Sequence, residues 1–310
     1  MAKKKNDDAM TGNKKMDVII IGGSYAGLSA AMALGRSLRN VLVIDSGNPC
    51  NQRTPHSHNF ITHDGHTPKQ ISAEAREQVE RYDTVKFHQG FAKNVTKLQY
   101  GFEVETQEES VFFSKKIIFA TGLKDIMPDI KGFAECWAIS VIHCPYCHGY
   151  EVRSEKTGII ANGEKAFHYA RLISNWTKEL SLFTNGKSTL TPEQTVKLRQ
   201  NNITIVETEV EEIQHQNGKV ESVIFKDATT ISLKAIYSGP EFVQHSDIPE
   251  RLGCEMTEHG LIKVDEAQKT TVSGVFACGD NSKFRVVSLA VSSGTIAGVS
   301  ANFELIDEMF

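Results

Sequence analysis

The 310-residue chain has no run of about 18 apolar residues, the length that crosses a bilayer, so no membrane partner is expected. It has no excess of positive charge either: 34 Lys and Arg stand against 38 Asp and Glu, a net charge of −4. Nucleic acid requires a concentrated basic face and is therefore not an expected partner. The first sixteen residues, MAKKKNDDAMTGNKKM, lack any apolar run. They read as a disordered tail (1–16) rather than a signal peptide, which makes a cytoplasmic location the expectation. Closely spaced cysteines are scarce. Of six, Cys50, Cys136, Cys254 and Cys278 are scattered, and only Cys144 and Cys147 form a short motif. In a reducing compartment such a pair is more often catalytic or metal-binding than structural.

The pair lies in IHCPYCHGYE, residues 142–151. Three chemistries use this pattern: c-type haem attachment, half of a zinc site, and a thiol–disulfide redox centre. Haem attachment normally follows export, for which there is no signal. Zinc needs a second ligand pair, and Cys254 and Cys278 are too isolated to be one. Four histidines, His56, His58, His63 and His66, do fall within HSHNFITHDGHTP, residues 56–68. No metal site is expected there. For a redox centre the residue types are apt. Pro145 suits a first helical turn because it has no N–H to leave unpaired. A helix start favours thiolate, and His148 can take up and return a thiol proton near neutral pH.

The first ordered stretch, DVIIIGGSYAGLSAAMALGRSLRNVLVIDSG (residues 17–47), reads as strand, glycine turn, helix, strand. Its turn, Gly22-Gly23-Ser24-Tyr25-Ala26-Gly27, keeps the outer glycines of a dinucleotide fingerprint and puts Ser24 at the middle one. Gly22, Ser24, Ala26 and Gly27 are the candidate pyrophosphate contacts at a helix N-terminus, and Asp45, ending the next strand, is the candidate ribose acceptor. A second unit of this kind spans TGIIANGEKAFHYARLISNWTKELSLFTNG, residues 157–186, but its leading glycine has become Ala161. No acidic residue ends its second strand and no arginine pair follows; Lys187 is the nearby cation. Its nicotinamide-nucleotide site reads as eroded, and NADPH is left open.

Two later segments carry a resemblance. KKIIFATG (115–122) ends in Thr121-Gly122, and TVSGVFACGD (271–280) ends in Gly279-Asp280, followed by the small-residue helix that begins VSLAVSSG at 287. These resemble the marks of flavoproteins with two dinucleotide-binding domains. The resemblance implies FAD, with Asp280 on its ribityl chain and the helix start at Ser288 aimed at the flavin ring; it also implies that residues 56–68 form a loop lining the active-site approach, with Asn59 as a hydrogen-bonding group beside the flavin. Over nearly all of residues 16–310 the chain resembles the low-molecular-weight thioredoxin reductases. There the pair reads C-A-T-C-D; CPYCH is similar to the dithiol-oxidase branch of that family. The implied fold is α/β, with two Rossmann-like domains, the second inserted into the first. An FAD-binding domain would occupy 17–124 and 240–310, and an NAD(P)H-binding-like domain with the redox pair 125–239. The resemblance makes Cys147 the flavin-side thiol and Cys144 the thiol that exchanges with substrate. It implies a homodimer and, as substrate, a thioredoxin-like protein or a small-molecule dithiol or disulfide. NADPH, a ferredoxin-type donor and dioxygen stay open as the other redox partner.

Overall fold

The structure, a computed structural model, describes residues 15–310. Residues 1–14 of the expected tail lie outside the described residues, while Met16 already pairs with Ser114. The chain divides into two compact units. One holds the described residues up to Cys50, with Lys69–Lys124 and Val243–Phe310; the other holds Asn51–Pro68 and Asp125–Phe242.

The first unit begins with β1 (Met16–Ile21), α1 (Tyr25–Arg36) and β2 (Val41–Asp45). The two strands pair in parallel, from Val18 opposite Val41 to Ile21 opposite Ile44. Both are runs of β-branched and leucine side chains buried on both faces, as a covered parallel sheet demands. Then come α2 (Pro68–Glu80), β3 (Val85–Gln89) and the antiparallel strands β4 (Ala92–Leu98), β5 (Gly101–Thr106) and β6 (Val111–Phe119).

The chain next enters the second unit through β7 (Leu123–Ile126), α3 (Phe133–Cys136), β8 (Val141–Ile142) and the single turn α4 (Pro145–His148). β9 (Thr157–Ile160), α5 (Gly163–Ile173), β10 (Leu180–Phe183), α6 (Pro192–Gln200) and β11 (Thr204–Val206) complete its strand–helix repeat. An antiparallel sheet of β12 (Val210–Gln216), β13 (Lys219–Phe225) and β14 (Thr230–Ser232) precedes β15 (Ala235–Ser238) and β16 (Glu241–Gln244). The main sheet of this unit is parallel, in the order β11-β10-β9-β15-β8. β16 pairs with β7 where the chain passes between the units.

Back in the first unit lie α7 (Ile248–Arg251), β17 (Val275–Ala277) and α8 (Val287–Asp307). β17 joins the sheet beside β6, whose two halves are shared: Val111–Ser114 pairs with β5, Ile117–Phe119 with β17. The ends of β1, β6 and β17 therefore lie side by side, which is where open α/β sheets take ligands.

The second crossing falls at Phe242/Val243, three residues beyond the expected start of the returning half at 240. A larger difference is the segment 51–68. The sequence places it in the flavin half, and the structure groups it with the second unit. The reason is its side chains: Arg53 donates to the Ala134 carbonyl, and His58 Nε2 lies 3.5 Å from Glu151.

α8 is the helix, among those described, long and apolar enough by length and composition to cross a membrane. Its apolar character is spread over small residues and broken by serines, so the sequence shows no uninterrupted apolar run there. One face, Ala290, Ser293, Gly294, Ala297, Gly298, Ala301 and Leu305, is buried. It lies backbone to backbone on α1: a Cβ added to Gly294 would stand 2.1 Å from the Ala26 carbonyl oxygen. The far end of α8 is pinned by charge. Lys116, on β6 and only 4% exposed, donates to Glu304 at 2.8 Å and to Glu308 at 2.5 Å. Burial lowers the Lys116 pKa, but the two carboxylates outweigh it and the net shift is upward; Glu304 is held below its ordinary value by Lys116 and Lys269 against its own burial.

Lys116→Met should therefore cost about 2 kcal/mol, the worth of a hydrogen bond to a charged group. A lowered carboxylate contributes fully above its unfolded pKa and loses that contribution as acid protonates it, and a raised lysine contributes up to its own unfolded value. The gap between wild type and variant in urea unfolding should be full at neutral pH and shrink below about pH 4.5. A gap that persists in acid would contradict this assignment.

Candidate functional site

In the first unit, β1 delivers the chain into its glycine turn. Gly22 has φ +107°, and a Cβ there would meet the Ala120 carbonyl oxygen at 2.2 Å, so no other residue fits without moving backbone. The turn is stitched to both neighbours: Gly22 N–H donates to Ile44 and Ala120 N–H to Ile21. Gly27 packs on the Gly22 carbonyl from the first turn of α1. Ser24 is the N-cap of α1, yet its hydroxyl makes no capping bond. Ala26, next to Gly27, is buried beneath α8. Asp45 does more than the sequence suggests: its Oδ1 accepts from Gly23 N–H at 3.0 Å, bracing the turn.

On the opposite side of this cradle, Thr121 and Gly122 follow β6 and Gly279 and Asp280 follow β17. A residue the sequence reading missed ties them together. Asn281 is fully buried; its Nδ2 donates to the Phe119 carbonyl at 3.0 Å and to Thr121 Oγ1 at 3.2 Å. Its Oδ1 is a buried acceptor without a partner. Ser293 of α8 accepts from Gly279 N–H at 3.0 Å. Asp280 has Cys50 Sγ at 3.8 Å and Arg285 Nε at 3.9 Å. Ser288 is exposed in the first turn of α8. A glycine turn that no side chain could fill, an uncapped helix start and an orphaned buried acceptor fit a dinucleotide.

The second unit's glycine turn, between β9 and α5, is built differently. Asn162 caps α5 and fills the turn with its own amide. Its Oδ1 accepts from Gly163 N–H at 2.8 Å, Thr189 N–H at 2.9 Å and Thr189 Oγ1 at 3.1 Å. Its Nδ2 donates to the carbonyls of Thr184 at 3.3 Å and Lys187 at 2.9 Å. Glu164, in the first turn of α5, adds negative charge and is bound by Gln194 Nε2 at 2.6 Å. Lys165, in the same first turn, donates to the Gly239 carbonyl, and burial lowers its pKa against a weaker pull from Glu241.

The cysteine pair belongs to the second unit and forms a disulfide, with Cα atoms 5.3 Å apart. Cys144 is the N-cap of α4, its Sγ accepting from Cys147 N–H at 3.1 Å, and Pro145 occupies the first turn as expected. The three buried free thiols, Cys136, Cys254 and Cys278, are not suited to exchange. Burial pushes Cys278 up to about 12 and Cys136 to about 11. His148 ends α4, and its pKa is lowered, by burial first and by His58 second, with Glu151 opposing. It is therefore neutral at pH 7 and able to accept a proton. His143 packs on Trp137, ring centroids 5.9 Å apart, in keeping with a structural role.

The 51–68 loop brings His58 edge-on to His148, ring centroids 6.5 Å apart. Asn59 adopts φ +59°, its side chain exposed, and donates its N–H to Asp64 Oδ1. The structure thus groups Asn59 with the disulfide-bearing unit instead of the cradle where the sequence placed it. Among the described residues no group of three or more His, Cys, Asp or Glu could hold a metal ion.

Residues 16–294 match the model of the family described as pyridine nucleotide-disulphide oxidoreductase. The chain is 32% identical over 314 residues to thioredoxin reductase tcpT of Claviceps purpurea, covering 97% of each. It is 31% identical over 309 residues to thioredoxin reductase sirT of Leptosphaeria maculans, covering 93% of this chain and 94% of that one. Among solved structures it is similar to an oxidoreductase from Agrobacterium tumefaciens: 38% identity, TM-score 0.88, covering 94% of this chain and 99% of that one.

Gly22→Val should drive a side chain into the Ala120 carbonyl and open the cradle. The purified variant is expected to lose bound dinucleotide, read as loss of its absorbance; a variant that keeps full occupancy would place the dinucleotide elsewhere.

Proposed function

The chain belongs to the pyridine nucleotide-disulphide oxidoreductase family and is an FAD-dependent, thioredoxin-reductase-like enzyme; from that premise we propose that it works as a dithiol oxidase, moving two electrons from a small-molecule dithiol to dioxygen. The observation that carries this reading is Asn162. Its amide spends its hydrogen bonds closing the second glycine turn over Thr189 and Lys187, beside the carboxylate of Glu164. A nicotinamide nucleotide would need that helix start for its phosphates. Nothing acidic ends β10 to take a ribose, so the terminal partner is an oxidant that needs no second nucleotide.

In this reading the Gly22–Gly27 turn and α1 hold the pyrophosphate, Asp45 the adenosine ribose, Asp280 the ribityl chain, and Thr121, Gly122 and Ser288 the flavin end. Bound FAD supplies two-electron redox chemistry between the cysteine pair and the terminal acceptor. A substrate thiolate attacks Cys144 Sγ, the S–S bond breaks, and Cys147 leaves as thiolate. The second substrate thiolate attacks its own sulfur in the mixed disulfide and releases Cys144. The substrate is now a disulfide, the pair a dithiol, and neutral His148 accepts a released proton. Overall, dithiol and dioxygen give disulfide and hydrogen peroxide. The names of the fungal relatives, thioredoxin reductases, favour the reverse direction, reduction of a disulfide, as the second reading, for which a nicotinamide nucleotide would be the donor.

Anaerobic addition of NADPH, NADH or a dithiol in turn separates them. The dithiol should bleach the flavin quickly, the nicotinamides should not, and air should restore the colour with release of peroxide. Cys147→Ser should stay yellow and lose dithiol bleaching to background. Rapid bleaching by NADPH would reverse the proposed direction.

The outer face of α8 supports a homodimer. Leu289, Ile296, Val299, Phe303 and Ile306 are all exposed at spacings of seven, three, four and three residues, a helical seam pattern. A second copy is the proposed occupant. Light scattering should give a dimer for wild type and a monomer for Ile296→Glu/Phe303→Glu, and a monomeric wild type would overturn it.

A further inference from the structure

We propose that His58, held between Asp64 and Glu151, is a positioning residue for His148 that sets the pH range over which the Cys144–Cys147 pair exchanges with thiols. The proposal rests on the reading of that pair as the thiol-exchanging centre. His58 comes from a loop 86 residues or more ahead of the pair in sequence, and nothing in the CPYCH motif points to it. In space its Nδ1 lies 3.4 Å from Asp64 Oδ2, its Nε2 lies 3.5 Å from Glu151 Oε1, and its ring meets His148 edge-on. Its side chain is 21% exposed, whereas Asp64 is 65% and Glu151 42% exposed. The arrangement therefore runs from a sheltered imidazole at the disulfide, through a second imidazole, to two carboxylates in solvent.

Two carboxylates bracket the His58 imidazole and hold its ring edge-on to His148. There His58 works with burial, the larger influence, against a positive charge on His148, which keeps His148 in the proton-accepting form. Glu151 acts on His148 in the opposite sense, as the directions of its two electrostatic influences show. Among the described residues, two side chains act on His148 electrostatically, His58 and Glu151. The 51–68 loop contributes His58, with His56 at 6.5 Å behind it. The turn after α4 contributes Glu151. Tyr237 of β15, on which Glu151 also acts, is held protonated by burial first and so adds no charge. Arg153 is turned onto the Tyr150 ring at 3.9 Å. His58 and Glu151 are therefore a pair of opposed controls on one base.

The test is stopped-flow bleaching of the flavin by dithiothreitol, anaerobically, from roughly pH 5 to 8. The ratio of variant to wild-type rate at each pH cancels the ionisation of the dithiol itself. His58→Asn should slow exchange severalfold on the acid limb and leave the rate near pH 8 unchanged. Glu151→Gln should speed exchange on the same limb. Asp64→Asn, at an exposed position and so safe for folding, should act like His58→Asn but more weakly. Flavin content and melting temperature are measured alongside. Ratios that stay flat with pH, or that move in the same direction for His58→Asn and Glu151→Gln, overturn the proposal while leaving the cysteine pair intact. Wild type that fails to bleach with dithiothreitol at any pH overturns the reading of the pair itself.

Discussion

The carbonyl oxygen of Ala120 occupies the space where any residue other than glycine at position 22 would carry a side chain. Much of the first unit follows from that approach. It brings the end of β6 against the turn after β1, so the strand ends that carry Thr121 and Asp280 face the start of α1. Gly27 packs on the same turn from the helix side, and the alanines behind it let α8 settle on α1 with backbone touching backbone. The oxygen at Ala120, the small face of α1 and the small face of α8 are one continuous requirement. A large side chain at any of the three would separate the parts that hold the dinucleotide.

The two glycine turns show how one topology serves opposite ends. Each follows a buried parallel strand and opens a helix. In the first, the residue at the cap, Ser24, leaves the helix start without a side-chain bond, and the brace comes from outside, through Asp45. In the second, the brace is Asn162 itself, whose amide bonds Gly163, Thr184, Lys187 and Thr189. The difference lies in where the hydrogen bonds come from and needs no change of fold.

That distinction decides what could be read from the chain alone. The strand–glycine–helix pattern is local, and so is the cap at Cys144 and Pro145; both were legible because neighbours in sequence are neighbours in space. The loss of the acidic residue after β10 was legible as an absence. Asn162 was not, since its partners Thr184, Lys187 and Thr189 are reached only when the loop folds back. Asn281 looked like any polar residue after the Gly279-Asp280 turn, and its role depends on Phe119 and Thr121, far away in sequence. The placing of residues 51–68 and the partners of His58 belong to the same class. The apolar character of α8 escaped notice for another reason: glycine, alanine and serine spread it thinly, and its two faces separate only on the helix.

Ser293 sits on the inner face of α8 and receives the N–H of Gly279, while its own hydroxyl is spent on the carbonyl of Leu289 one turn back. The serine therefore rivets the cofactor loop to a rod of 21 residues. Whatever grips the outer surface of that rod and whatever fills the loop at Gly279 act on the same stiff body. By linkage, a force applied at one is felt as affinity at the other, and the coupling is reciprocal. In the proposed dimer, flavin occupancy and subunit association would be two readings of the position of a single helix.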